Sequence, residues 1–274
     1  MRRLLLAMAL LAAAPVAAQG VPEALRGSWA EGECAAPAAI LHLTARSAVR
    51  LPAEGEARLF RFRSLRMHDE WHVGTGGGAE APRLMLRAAG DALDSAEPDA
   101  KTRDDRLPGG APVTRWRRCA APTPGFALLH GEGLAFLAAL ERIEAACQGD
   151  APQACIAALV AEADVSGDGA LSVAEIARLL RAAAWAMAVH DGADQGGIAA
   201  AAGLGGVAAL AAARLLVESL DFDGDGRLSA AELAQDRTRF PGAAGSPEGR
   251  PVAIEALASG AGLLRGFLER LAGE

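Results

Sequence analysis

Over residues 24–120, apolar and polar positions come in short, partly alternating runs at 40–44, 57–63, 70–73 and 83–87. Clusters of Gly, Pro and Asp bound them, from Pro52 to Gly55, Gly74 to Gly78 and Pro108 to Gly110. Alternation sends successive side chains to opposite faces, which predicts an antiparallel sheet or small barrel. From Gly131 the period lengthens to that of helices. Leu134, Leu137, Leu140, Ile143 and Ala146 recur every three residues, and after a turn Ile156, Leu159 and Val160 continue, with Asp150 and Pro152 as start signals. Residues 173–189 and 198–220 read as two more helices, separated by the polar, Gly-containing stretch 190–197. A Gly/Pro linker follows from Arg239 to Pro251, and Ile254, Leu257, Ala261, Leu264, Leu268 and Leu271 mark one stripe of a final helix. The expected fold class is α+β. It comprises a small antiparallel β domain over 19–122, a connecting helix over 123–149, an all-helical unit over 150–240, and a linker with an amphipathic helix over 241–274.

The first 18 residues fall outside this pattern. Arg2 and Arg3 precede an apolar run over 4–14, and Val16, Ala17 and Ala18 provide the small residues of a cleavage site, which predicts a secretory leader and a periplasmic or secreted protein. The apolar stretch 198–213 raises the question of a membrane span. It is mostly Ala and Gly and is interrupted by Arg214, so a buried, closely packed helix is expected instead. Four cysteines allow three pairings. Cys34 and Cys119 bracket the β region while Cys147 and Cys155 bracket a turn, which favours those two bridges.

Composition alters the picture mainly through charge. Of 27 basic residues Lys101 is the only lysine, and no basic tail or Arg-aromatic stripe stands out, which argues against nucleic acid as a partner. The net charge of -7 is concentrated in residues 150–240, which hold 13 acidic and 6 basic side chains.

Seven of those 13 acids sit in two twelve-residue loops, 164–175 and 221–232. Calcium takes six to eight oxygen ligands at about 2.3–2.6 Å, and a short loop supplies them only where alternate side chains converge. Asp164, Ser166 and Asp168 alternate in the first loop, as do Asp221, Asp223 and Asp225 in the second. Gly169 and Gly226 follow at the sharp turn. Both loops resemble the EF-hand family over all twelve positions, within helical flanks, across about a third of the chain. The resemblance implies two bound Ca²⁺ ions. The implied first set is Asp164, Ser166, Asp168, the Ala170 carbonyl, Ser172 and Glu175. The second is Asp221, Asp223, Asp225, the Arg227 carbonyl, Ser229 and Glu232. It also implies that Leu171 and Leu228 pair in a short β-bridge. The loops begin 57 residues apart, more than the family's usual spacing, with the surplus around 189–207. Ser166 stands where the second loop has an acid, so the second site is expected to be tighter, an advantage Arg227 partly offsets.

The β region carries a second resemblance. Gly27-Ser28-Trp29, then Cys34, and finally Trp116-Arg117-Arg118-Cys119 are similar to small secreted lipocalin-like barrels, which implies a core role for Trp29. Other motifs point less far. His68-Asp69-Glu70-Trp71-His72 spaces two histidines like a zinc helix but reads as strand, with Asp69 in the place of the catalytic Glu. Gly203 to Ala208 matches a dinucleotide fingerprint with no strand before it. No Gly-x-Ser-x-Gly elbow appears. The expected function is therefore calcium binding, structural or coupled to a protein or peptide partner, and not catalysis. The alternatives are a small-ligand carrier and an enzyme with an accessory calcium-binding unit.

Overall fold

The computed structural model describes residues 20–77, 80–119, 123–148 and 152–239, the last five of these by backbone alone. The leader, Asp150, the linker beyond Arg239 and the final stripe from Ile254 to Leu271 lie outside the described residues. Among the described residues the fold is α+β, a curled nine-stranded antiparallel sheet with five helices and a short two-stranded ladder.

The sheet strands are β1 (Gly27–Glu33), β2 (Ala36–Leu43), β3 (Ser47–Pro52), β4 (Arg58–Arg61), β5 (Ser64–His68), β6 (Trp71–Thr75), β7 (Arg83–Ala89), β8 (Ala92–Ala96) and β9 (Val113–Arg118). Their order is β4-β3-β2-β1-β9-β8-β7-β6-β5, with every pairing antiparallel. Antiparallel steps along that order leave β4 and β5, at its two ends, running in the same direction. They are two halves of one stretch, residues 58–68, broken at Phe62 and Arg63. At the break the Phe62 amide donates to the Arg46 carbonyl at 2.8 Å, and the Arg63 amide donates to the Thr75 carbonyl at 2.8 Å. Each end of the sheet is thus tied to the same short piece of chain.

The inner face of the curl is filled by Trp29, Leu41, Leu43, Phe60, Leu86 and Trp116, among others. Trp29 is 3% exposed, donates its indole N–H to the Leu25 carbonyl at 2.8 Å, and lies under the Arg118 guanidinium at 4.2 Å. The outer face of β1 to β4 is covered as well. Ala30, Ile40, Val49 and Leu51 pack with residues of α1 (Pro124–Ala146), α3 (Val173–His190) and α4 (Gln195–Leu220). This second covering makes these strands apolar on both sides.

Helix α1 starts ahead of Gly131, at Pro124, because Thr123 caps it by accepting the Phe126 amide at 3.4 Å. Gly133 is required where α1 meets α3, since a Cβ there would lie 2.1 Å from the Trp185 ring. Farther along, the buried Glu141 of α1 accepts hydrogen bonds from the Thr44 hydroxyl of the β2–β3 turn and from the Ser47 hydroxyl at the start of β3, the second at 2.7 Å. Glu144 pairs with Arg61 of β4. Both favoured disulfides are present. Cys34–Cys119 joins the end of β1 to the end of β9, and Cys147–Cys155 joins α1 to α2 (Pro152–Ala163).

Helix α4 departs from expectation. By length and composition it could cross a membrane. One face is buried through Ile198, Ala209, Ala213 and Val217, chiefly against α3, but Leu204 and Val207 on the other are 79% and 76% exposed. Small side chains let α3 close on one side of α4. Among the described residues nothing covers the opposite side.

Candidate cation loops

The second half of the helical region builds two matched loops. The first joins α2 to α3 and the second joins α4 to α5 (Ala230–Arg239). Within them β10 (Ala170–Ser172) and β11 (Arg227–Ser229) pair antiparallel with Leu171 opposite Leu228. Both leucines are buried, 3% and 2% exposed, in a core shared with Val160, Ile176, Ala213 and Val217. The surplus residues between the loops do not separate them. They lengthen α3 and α4 into a long helical hairpin whose open end carries both loops side by side.

Each loop is organised by its first and last carboxylates. Asp164 accepts the amides of Gly167 at 2.6 Å and Gly169 at 2.8 Å, and Asp221 accepts those of Gly224 at 2.7 Å and Gly226 at 2.8 Å. These turns place Gly169 and Gly226 at φ 85° and 80°, where a side chain would be strained. Glu175 accepts the Val165 and Ser166 amides at 2.9 Å and the Ser172 amide at 2.8 Å, which closes the first loop. Glu232 does the same with the amides of Phe222 at 2.9 Å, Asp223 at 3.4 Å and Ser229 at 2.9 Å. Ser172 and Ser229 also donate their hydroxyls to these glutamates, at 2.7 and 2.8 Å. In the first loop this is a capping box that starts α3.

The glutamates are therefore held ionised. Desolvation opposes the charge on Glu175, but the amides of Ser172, Ser166 and Val165 and the Ser172 hydroxyl outweigh it and bring the carboxyl down to about 2. The Ser229 amide is the main cause lowering Glu232. Asp221 is lowered chiefly by the Gly226 amide. Asp223 moves the other way. The Asp225 amide favours its charge, but desolvation and repulsion from Asp225, Glu232 and Asp221 together push it up.

The predicted residues converge to different degrees. In the second loop one ligand atom each of Asp221, Asp223 and Asp225 lies within 4.8 Å of the others. Such mutually repelling hard oxygens suit a divalent cation, whereas each anchored glutamate already accepts four hydrogen bonds and would have to give some of them up to join it. In the first loop Ser166 donates to Asp164 at 3.2 Å, while Asp168 is held by the guanidinium of Arg227 from the second loop. This corrects the expectation for Arg227, whose side chain compensates the first loop rather than its own. Its position opposite Ser172 in the ladder accounts for that reach, which linear spacing alone does not reveal.

The other motifs lie elsewhere. His68 and His72 sit in the β5–β6 hairpin, whose turn residue Asp69 has φ 50°. Gly203 to Ala208 lies inside α4. Sequence reasoning missed a buried polar chain in which the Trp185 indole donates to His130 Nδ1 at 3.1 Å, His130 Nε2 meets Gln195 at 3.2 Å, and Gln195 donates to the Pro52 carbonyl at 2.9 Å. No periodic signal connects those four residues. At the mouth of the curled sheet a cavity of about 340 Å³ is lined by Leu41, Phe60, Leu84 and Trp116, with Arg50, Arg58 and Glu97 among its other residues.

No protein-family model, curated protein or solved structure matches this chain.

Proposed function

We propose that this protein binds calcium through two paired EF-hand loops, one ion in each, in a periplasmic or secreted setting. The observation that carries the reading is the convergence of Asp221, Asp223 and Asp225 on one point, in a loop closed by Glu232 and matched amide for amide by the first loop. Carboxylates that repel one another are stabilised by a cation between them, and all-oxygen donors favour calcium over softer metals. The two disulfides accord with an oxidising compartment. Calcium outside the cytoplasm can fill even sites with dissociation constants near 10⁻⁴–10⁻³ M.

The ions would complete the helical end of the molecule, with a structural role or as a switch for a protein or peptide partner. A calorimetric calcium titration, with Trp185 fluorescence and melting temperature followed in parallel, tests this. Two ions are expected to bind the wild type, and Glu175→Gln or Glu232→Gln each to remove one. Absence of binding at millimolar calcium overturns the reading. Higher stability without new apolar exposure identifies a structural role, whereas calcium-dependent dye binding identifies a switch.

The cavity at the sheet mouth, with Leu41, Phe60, Leu84 and Trp116 beside Arg50 and Arg58, favours a second reading, carriage of a small amphipathic ligand in the β half. Ala48 also lines the cavity, and saturable quenching of tryptophan fluorescence by octanoate, lost on filling the space with Ala48→Phe, is the expected mark of a carrier.

A further inference from the structure

The two loops resemble each other so closely that an ion pair running from one to the other stands out. Arg227 lies opposite Ser172 in the β10–β11 ladder, and its guanidinium pairs with Asp168 of the first loop. The reciprocal position in the first loop is Ala170, opposite Ser229, which has no charge to return to Asp225. The charge exchange is therefore one-way. The second loop keeps four carboxylates, Asp221, Asp223, Asp225 and Glu232, while the first has Asp164, Asp168 and Glu175 with a positive charge already on Asp168.

We propose that Arg227 is a tethered counter-cation that lowers the calcium affinity of the first loop, so that the second loop fills first and the first loop responds at higher calcium. This rests on the calcium-binding reading of the loops and adds what sets the interval between them. An arriving Ca²⁺ must either share Asp168 with the guanidinium or displace it, and in either case meets a positive charge beside its site. Arg227 is 44% exposed at its side chain and Asp168 36%, so solvent and salt screen the contact without abolishing it. The expected penalty is about three- to tenfold in affinity. Because the guanidinium belongs to the residue whose carbonyl is the implied ligand of the second loop, one position of the chain takes part in both sites.

The test uses the full-length protein with one loop disabled at a time. In a Glu232→Gln background, where the first loop alone is intact, Arg227→Gln is expected to tighten calcium binding by about three- to tenfold at low ionic strength. The gain should shrink at 0.5 M salt, and Arg227→Lys should give an intermediate value. In a Glu175→Gln background, where the second loop alone is intact, Arg227→Gln should give a smaller gain. Circular dichroism verifies that each variant is folded. No gain in the first loop, a gain independent of salt, or an equal or larger gain in the second loop overturns the counter-cation. Failure of the unmodified chain to bind calcium would instead overturn the reading beneath it.

Discussion

His42 shows how one side chain links burial to pH. Its Nδ1 is 2.8 Å from the Ser28 hydroxyl, and burial lowers its pKa to about 4 against the attraction of Glu141. An unfolded histidine titrates near 6.5. Between these values the unfolded chain binds more protons than the folded one, so stability falls as pH drops from about 6.5 to about 4. Replacing His42 with Asn should flatten that part of the stability profile, measured by urea unfolding at a series of pH values. Gly133 makes a steric case. A methyl group there meets the Trp185 ring at 2.1 Å, so Gly133→Ala should destabilise the protein by about 1–3 kcal/mol in the same assay. Leu204, by contrast, is 79% exposed, and Leu204→Gln should change stability by less than about 0.5 kcal/mol.

Among the elements, the bridges differ mainly in the length of chain they close. Cys34–Cys119 spans 85 residues and Cys147–Cys155 spans 8. Loop-closure entropy assigns them roughly 4–5 and 2–3 kcal/mol, so the double Cys→Ser variant of the long bridge should show the larger fall in denaturation midpoint. The same elements explain what was legible beforehand. Leu134 and Leu137 announced α1, and the twelve-residue spacing of acids and glycines placed both loops. The strands were harder to read. Leu41 and Leu43 face the interior of the curl while Ile40 faces the helices, so β2 lacks the polar alternation of a half-exposed strand. The exposed side of α4 was misjudged for a related reason. An apolar composition does not specify how many sides of a helix find partners.

For the whole molecule, calcium should act by mass action. At ten times its dissociation constant each ion would add about 1.4 kcal/mol of stability, seen as a rise in melting temperature that depends on calcium concentration. The rise has a route through the molecule. Helix α3 begins at Val173 in the first loop, and its far end places Trp185 and Val189 against the outside of the sheet. A helix of 18 residues is about 27 Å long and behaves as a stiff rod on that scale. The sheet and the loops are therefore fastened to one beam, and neither half can loosen its end without disturbing the packing of the other. Melting followed in the β half should accordingly coincide with melting followed in the helices, as one cooperative transition that calcium moves as a unit.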